Sequence, residues 1–141
     1  MEIKKIDTTR YLVRLDPGDE VVRSLAEAAE KCAIRLAMVQ GLGAAKRIIM
    51  GVYDVGKQEY KSNTLEGVYE ILSLTGTLDT MNGEHYSHLH ISVGDASGHA
   101  FGGHLNEAVI SATAEIVITC LPGQIDRVKS AEVGLNIWKF E

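Results

Sequence analysis

The chain is short of the features that mark several functional classes, beginning with cysteine. Cys32 and Cys120 are its only two, and they stand far apart. No C-x-x-C pair exists, which excludes a thioredoxin-like redox motif and a cysteine-based zinc site. Both thiols are expected to act as small buried hydrophobes, Cys32 on a helix and Cys120 in an apolar strand. No apolar run approaches transmembrane length. The opening M-E-I-K-K-I-D-T-T-R has no apolar stretch long enough for a signal peptide, so the cytoplasm is the expected compartment and no membrane partner is expected. Lysine and arginine never run beyond two in a row, and the net charge is −5. That balance disfavours non-specific attraction to nucleic acid or anionic membranes. Gly41-Leu42-Gly43 lacks a third glycine and is followed by a strand-like Ala44–Tyr53. A dinucleotide fingerprint needs its glycine turn to open a helix, so that reading is excluded.

What is present describes a compact domain. The 141 residues are 45% hydrophobic and 23% charged, which suits one globular domain over 1–141 with a core of its own. Val21, Val22, Leu25, Ala28, Ala29 and Cys32 recur every three or four residues, with Arg23, Glu27, Glu30 and Lys31 opposite them. This predicts one amphipathic helix within Gly18–Ala33, with Asp19 and Glu20 in its first turn. Strands are predicted over Arg10–Leu15, Arg35–Gln40, Ala44–Tyr53, Gln58–Lys61 and Gly67–Leu78. Others follow over Tyr86–Val93, Ala100–Leu105, Thr113–Leu121 and Leu135–Phe140. The short connections favour antiparallel pairing, because parallel crossovers need a dozen or more residues. The expected class is α+β: a mostly antiparallel sheet, curled toward a barrel, with one helix packed on it.

All five histidines fall between residues 85 and 104, namely His85, His88, His90, His99 and His104. In Tyr86–Val93, Leu89, Ile91 and Val93 alternate with His88, His90 and Ser92. Strand geometry sends His88 and His90 to one face, within reach of a common ion. H-x-H by itself also suits a solvated strand face. His104 follows Gly102-Gly103, whose missing side chains permit close backbone approach. His85 and His99 follow the turn-like runs Asn82-Gly83-Glu84 and Ser97-Gly98, which suits loop-end roles.

The order of G-V-Y-E-I-L-S-L-T-G-T-L at 67–78, the H-x-H strand, and G-H-A-F-G-G-H-L at 98–105 resembles the plant- and prokaryote-conserved (PPC) domain family. The first segment is similar to the G-R-F-E-I-L-S-L-S-G core of plant members, and the resemblance runs from about Tyr11 to Trp138. It implies an antiparallel sheet with a packed helix, assembled as a homotrimer. It also implies a metal site at His88, His90 and His104, taking zinc or another divalent ion. In plants the domain follows an R-G-R-P minor-groove arm and acts in transcription factors. This sequence has no such arm, so direct DNA binding is not expected.

Two functions follow from this reading. In one, a trimeric metal-binding protein leaves an open position on its ion for water or a small ligand. Catalysis there would need an acid–base partner, for which Glu70 and Glu84 are the candidates. In the other, the domain is a regulatory or DNA-associated module, or one that recognises a protein partner, and has no catalytic role.

Overall fold

A computed structural model describes residues 1–140. Its elements are β1 (Glu2–Lys5), β2 (Arg10–Leu15), α1 (Val21–Lys31), β3 (Ala37–Asp54), β4 (Glu59–Met81), β5 (Glu84–Gly94), β6 (Ala100–Cys120), β7 (Asp126–Lys129) and β8 (Asn136–Trp138). The strands pair in the order β1-β2-β6-β3-β4-β7-β8. β5 bridges β4 and β6, so β3, β4, β5 and β6 form a partly closed ring. Every pairing is antiparallel except the two-residue contact of β4 with β7. The architecture is therefore α+β with a curled, mostly antiparallel sheet, and α1 is the one α-helix among the described residues. That helix is too short to cross a membrane.

α1 begins where its backbone N–H groups find an acceptor. The Glu20 carboxylate accepts from Val22 N at 3.0 Å and Arg23 N at 2.7 Å. It also accepts from Ala108 N of β6 at 3.0 Å, which ties the helix start to the sheet. Glu20 is thus the N-cap rather than a first-turn residue, and the first turn carries no acid. At the other end, Ile34 N donates to Ala29 O and Ala33 N to Glu30 O, the paired bonds of a Schellman cap. Ala33 holds a left-handed φ of 53° there, where glycine is the usual residue. Replacing Ala33 with glycine is expected to stabilise the fold by about 0.5–1 kcal/mol, read as a higher urea midpoint at unchanged slope.

The helix lays Val21, Leu25, Ala28 and Ala29 on a sheet face made of Val13, Leu15, Val39, Leu74, Leu89, Ile91, Ile116 and Ile118, all buried. Alternation then turns the other residues of the same strands away from the core. On β5 those are Tyr86, His88 and His90.

Several sequence boundaries change. The segments predicted over Arg35–Gln40 and Ala44–Tyr53 merge into one strand that starts at Ala37, because β3 runs through Gly41-Leu42-Gly43 with a register shift instead of ending. The segments predicted over Gln58–Lys61 and Gly67–Leu78 merge into β4, except Gln58, and those over Ala100–Leu105 and Thr113–Leu121 merge into β6, except Leu121. Register shifts in the β3–β6 ladder let long strands bend, and they break the alternation by which a single strand is recognised. β1 and β7 have no counterpart in the sequence reading. Both cysteines are free and only half-buried, Cys32 at the helix C-cap and Cys120 at the end of β6.

Candidate metal centre

His88 and His90 share a face of β5, and pairing with β6 sets His104 opposite His90. Gly103, just before His104, lets β3 approach β6 closely on its other side. A Cβ there would meet the carbonyl oxygen of Gly51 on β3 at 2.5 Å, so only glycine lets the β3–β6 ladder pass beside His104. One ligand atom from each of the three imidazoles lies within 4.8 Å of the others. The ring centroids are 5.2 Å apart for His88–His90, 5.4 Å for His88–His104 and 5.7 Å for His90–His104.

Burial favours the uncharged form of two of these rings. Partial burial pushes the His88 imidazole below its ordinary value, helped by the positive Arg127 nearby. Burial does the same for His104, with His90 adding to it. A lowered value means a neutral ring at neutral pH, with its lone pair available to a cation. Three imidazole nitrogen donors with no carboxylate in the cluster suit zinc and related divalent ions, and leave further coordination positions open.

The other two histidines stay outside the cluster. His85 Nε2 hydrogen-bonds Ser87 Oγ at 2.7 Å, and exposed His99 pairs its Nδ1 with Asp95 at 3.1 Å. Glu70 and Glu84 are both exposed, and neither lines the cavity beside the three histidines. The expected acid–base candidates are thus not brought to the three histidines.

That cavity has a volume of about 830 Å³, and its wall includes Tyr53, Tyr60, Tyr86 and Lys129. His88 and His90 also border a smaller space of about 370 Å³ with Thr77, Arg127 and Trp138. Between these lies a buried polar knot. Arg127 binds both oxygens of Asp79 at 2.7 Å, and Trp138 Nε1 donates to Asp79 Oδ2 at 2.7 Å. The guanidinium also lies 4.7 Å from the Tyr86 ring centroid. This knot pins the β7–β8 hairpin over the β4–β5 edge, beside the histidines.

Sequence reasoning missed these neighbours. Tyr86 had a signal, since it stands two residues before His88 in the same alternation. Asp79, Arg127 and Trp138 had none, because local spacing does not join residues so far apart.

The family model for the Plants and Prokaryotes Conserved (PCC) domain matches residues 4–122. Among solved structures, a Bacteroides thetaiotaomicron protein named as a candidate DNA-binding protein superposes with a TM-score of 0.94 at 30% identity, covering 99% of this chain and 96% of its own. A metal-containing protein of Archaeoglobus fulgidus superposes with a TM-score of 0.86 at 31% identity, covering 99% and 96%. The bifunctional protein GlmU of a Synechococcus strain is 32% identical over 114 residues, 79% of this chain. The chain spans only 17% of that relative's length.

Proposed function

Because the chain belongs to the Plants and Prokaryotes Conserved (PCC) domain family, the PPC family of the sequence reading, we propose that it is a cytoplasmic, homotrimeric member holding one zinc-like divalent ion per chain on His88, His90 and His104. The observation that carries the metal assignment is the convergence of three imidazoles from two strands to within 4.8 Å. The lowered proton affinities of His88 and His104 support it, as does the likeness to a relative described as metal-containing. When bound, such an ion supplies Lewis acidity and an open position for water or a small ligand. The protein's own part is to hold neutral nitrogen donors in place on a strand pair and to border the ion with an aromatic cavity. No catalytic residue is assigned, since Glu70 and Glu84 lie elsewhere. Direct DNA contact is not part of the proposal, given the net charge of −5.

The trimer is supported by family membership and by the outer sheet face. Leu12, Met38, Leu42 and Leu72 stand there 42%, 47%, 57% and 56% exposed. Leu12, Leu42 and Leu72 line one groove of about 810 Å³. A contiguous apolar surface of this kind is a common mark of an association face.

Untagged protein incubated with zinc and then desalted is expected to retain one ion per chain, measured by mass spectrometry of the metal. Light scattering is expected to give three times 15.3 kDa. A monomer mass at all micromolar concentrations would remove the trimer, and zinc absent after desalting would remove the metal site.

A further inference from the structure

Resting on the metal reading above, we propose that the cavity beside the three histidines is a binding site for a small aromatic carboxylate, its anionic group directed to the ion and its ring among the tyrosines. The charge of the wall argues for an anion. The chain carries 19 acidic residues, yet among the described residues no aspartate or glutamate lines this cavity, and Lys129 is its one lysine or arginine. A divalent ion on three neutral imidazoles would add a net positive charge at the same place.

The hydrogen-bonding groups point the same way. The Tyr60 hydroxyl donates to Asn106 Oδ1, and the NH₂ group of the same amide keeps its two N–H donors for a ligand. Asn136 Nδ2 donates to the Tyr86 hydroxyl at 3.3 Å, which leaves that hydroxyl its own proton to donate. Lys129 spends one of its three N–H groups on Gly134 O. Asn106, Tyr86 and Lys129 thus each keep an N–H or O–H to donate, as recognition of a carboxylate requires.

The body of the ligand is set by the remaining wall. Tyr53, Tyr60 and Tyr86 present rings, joined by Val52 and Leu135. Aromatic faces in a cavity favour a flat, polarisable partner by offset stacking or edge contacts. The volume of about 830 Å³ is ample for a single-ring acid and falls within the range of about 300–1,000 Å³ usual for small-molecule sites.

The test is calorimetric titration of untagged, zinc-loaded protein with three probes, after the zinc content of the same sample is measured. Benzoate carries both features, benzamide lacks the charge and acetate lacks the ring. Benzoate is expected to bind at least about tenfold more tightly than either of the others. Tyr53→Leu is expected to weaken benzoate by about threefold to tenfold and leave acetate unchanged. Lys129→Gln, at an exposed position, is expected to weaken benzoate and acetate alike without loss of zinc. If zinc is held at one per chain but benzoate binds no better than acetate or benzamide, the ligand assignment is overturned while the metal reading stands. Full benzoate affinity in zinc-loaded Tyr53→Leu overturns it as well. A protein that holds no zinc overturns both.

Discussion

Replacing Arg127 with methionine is expected to lower the stability of the fold by about 3–5 kcal/mol, seen as a drop of roughly 10–20 °C in the thermal midpoint. The side chain of Asp79 is fully buried and that of Arg127 is 4% exposed. The variant would strand a buried carboxylate that in the wild-type protein receives two N–H donors from Arg127 and one from Trp138. An orphaned charge in a dry site costs more than the intact pair contributes, because its desolvation is no longer offset. The double variant Asp79→Leu/Arg127→Met is therefore expected to be more stable than Arg127→Met alone, since it removes the stranded charge. A shift in the single variant of under about 3 °C would show that water reaches Asp79 and that the knot is not a dry ion pair.

Replacing His104 with alanine is expected to reduce zinc affinity by more than about a hundredfold, beyond the loss usual for outer-shell changes around a metal. The fold should survive. The apolar core lies on the opposite face of the strands that carry the histidines, and neighbouring Leu105 supplies the core contact. Circular dichroism and a chelator-competition titration on one sample separate the two effects. Retention of full affinity would show that the ion, if bound, is held elsewhere.

The same site sets a pH dependence. In the metal-free protein His88 and His104 titrate below their ordinary value of 6.5. The folded state thus binds these protons less readily than the unfolded chain, and its stability should fall as pH drops below about 6.5. Above that value both states are neutral at these positions and the effect vanishes. Zinc affinity should follow the same direction, flat above about pH 7 and declining below 6.5, because a protonated imidazole has no lone pair to give.

The elements that were legible in the sequence are those whose signal is local. α1 has its apolar residues at helical spacing, and β5 alternates cleanly from Tyr86 to Val93. The continuity of β3, β4 and β6 was not legible, because register shifts near Gly41–Gly43 and Ala45–Arg47 interrupt the alternation that identifies a strand. β7 escaped because it is four residues long, and its parallel pairing with β4 covers only two. Its place depends on Arg127 reaching Asp79, 48 positions away.

The candidate site divides along the same line. That His88 and His90 face one way, away from the helix-packed core, was determined by the sequence alone, since the two-residue period of a strand allows nothing else once Leu89 and Ile91 are buried. The class of fold followed from one helical period among many short-linked strand segments, and the family from the order of short motifs along the chain. Tertiary structure decided the rest. It brought His104 opposite His90 through the β5–β6 register, left Glu70 and Glu84 outside the cavity, and set Tyr53, Tyr60, Tyr86 and Lys129 around the three histidines. Those neighbours come from four strands of a curled sheet. Which of them meet depends on bulges and strand closure, and the spacing of residues along one strand carries no record of either.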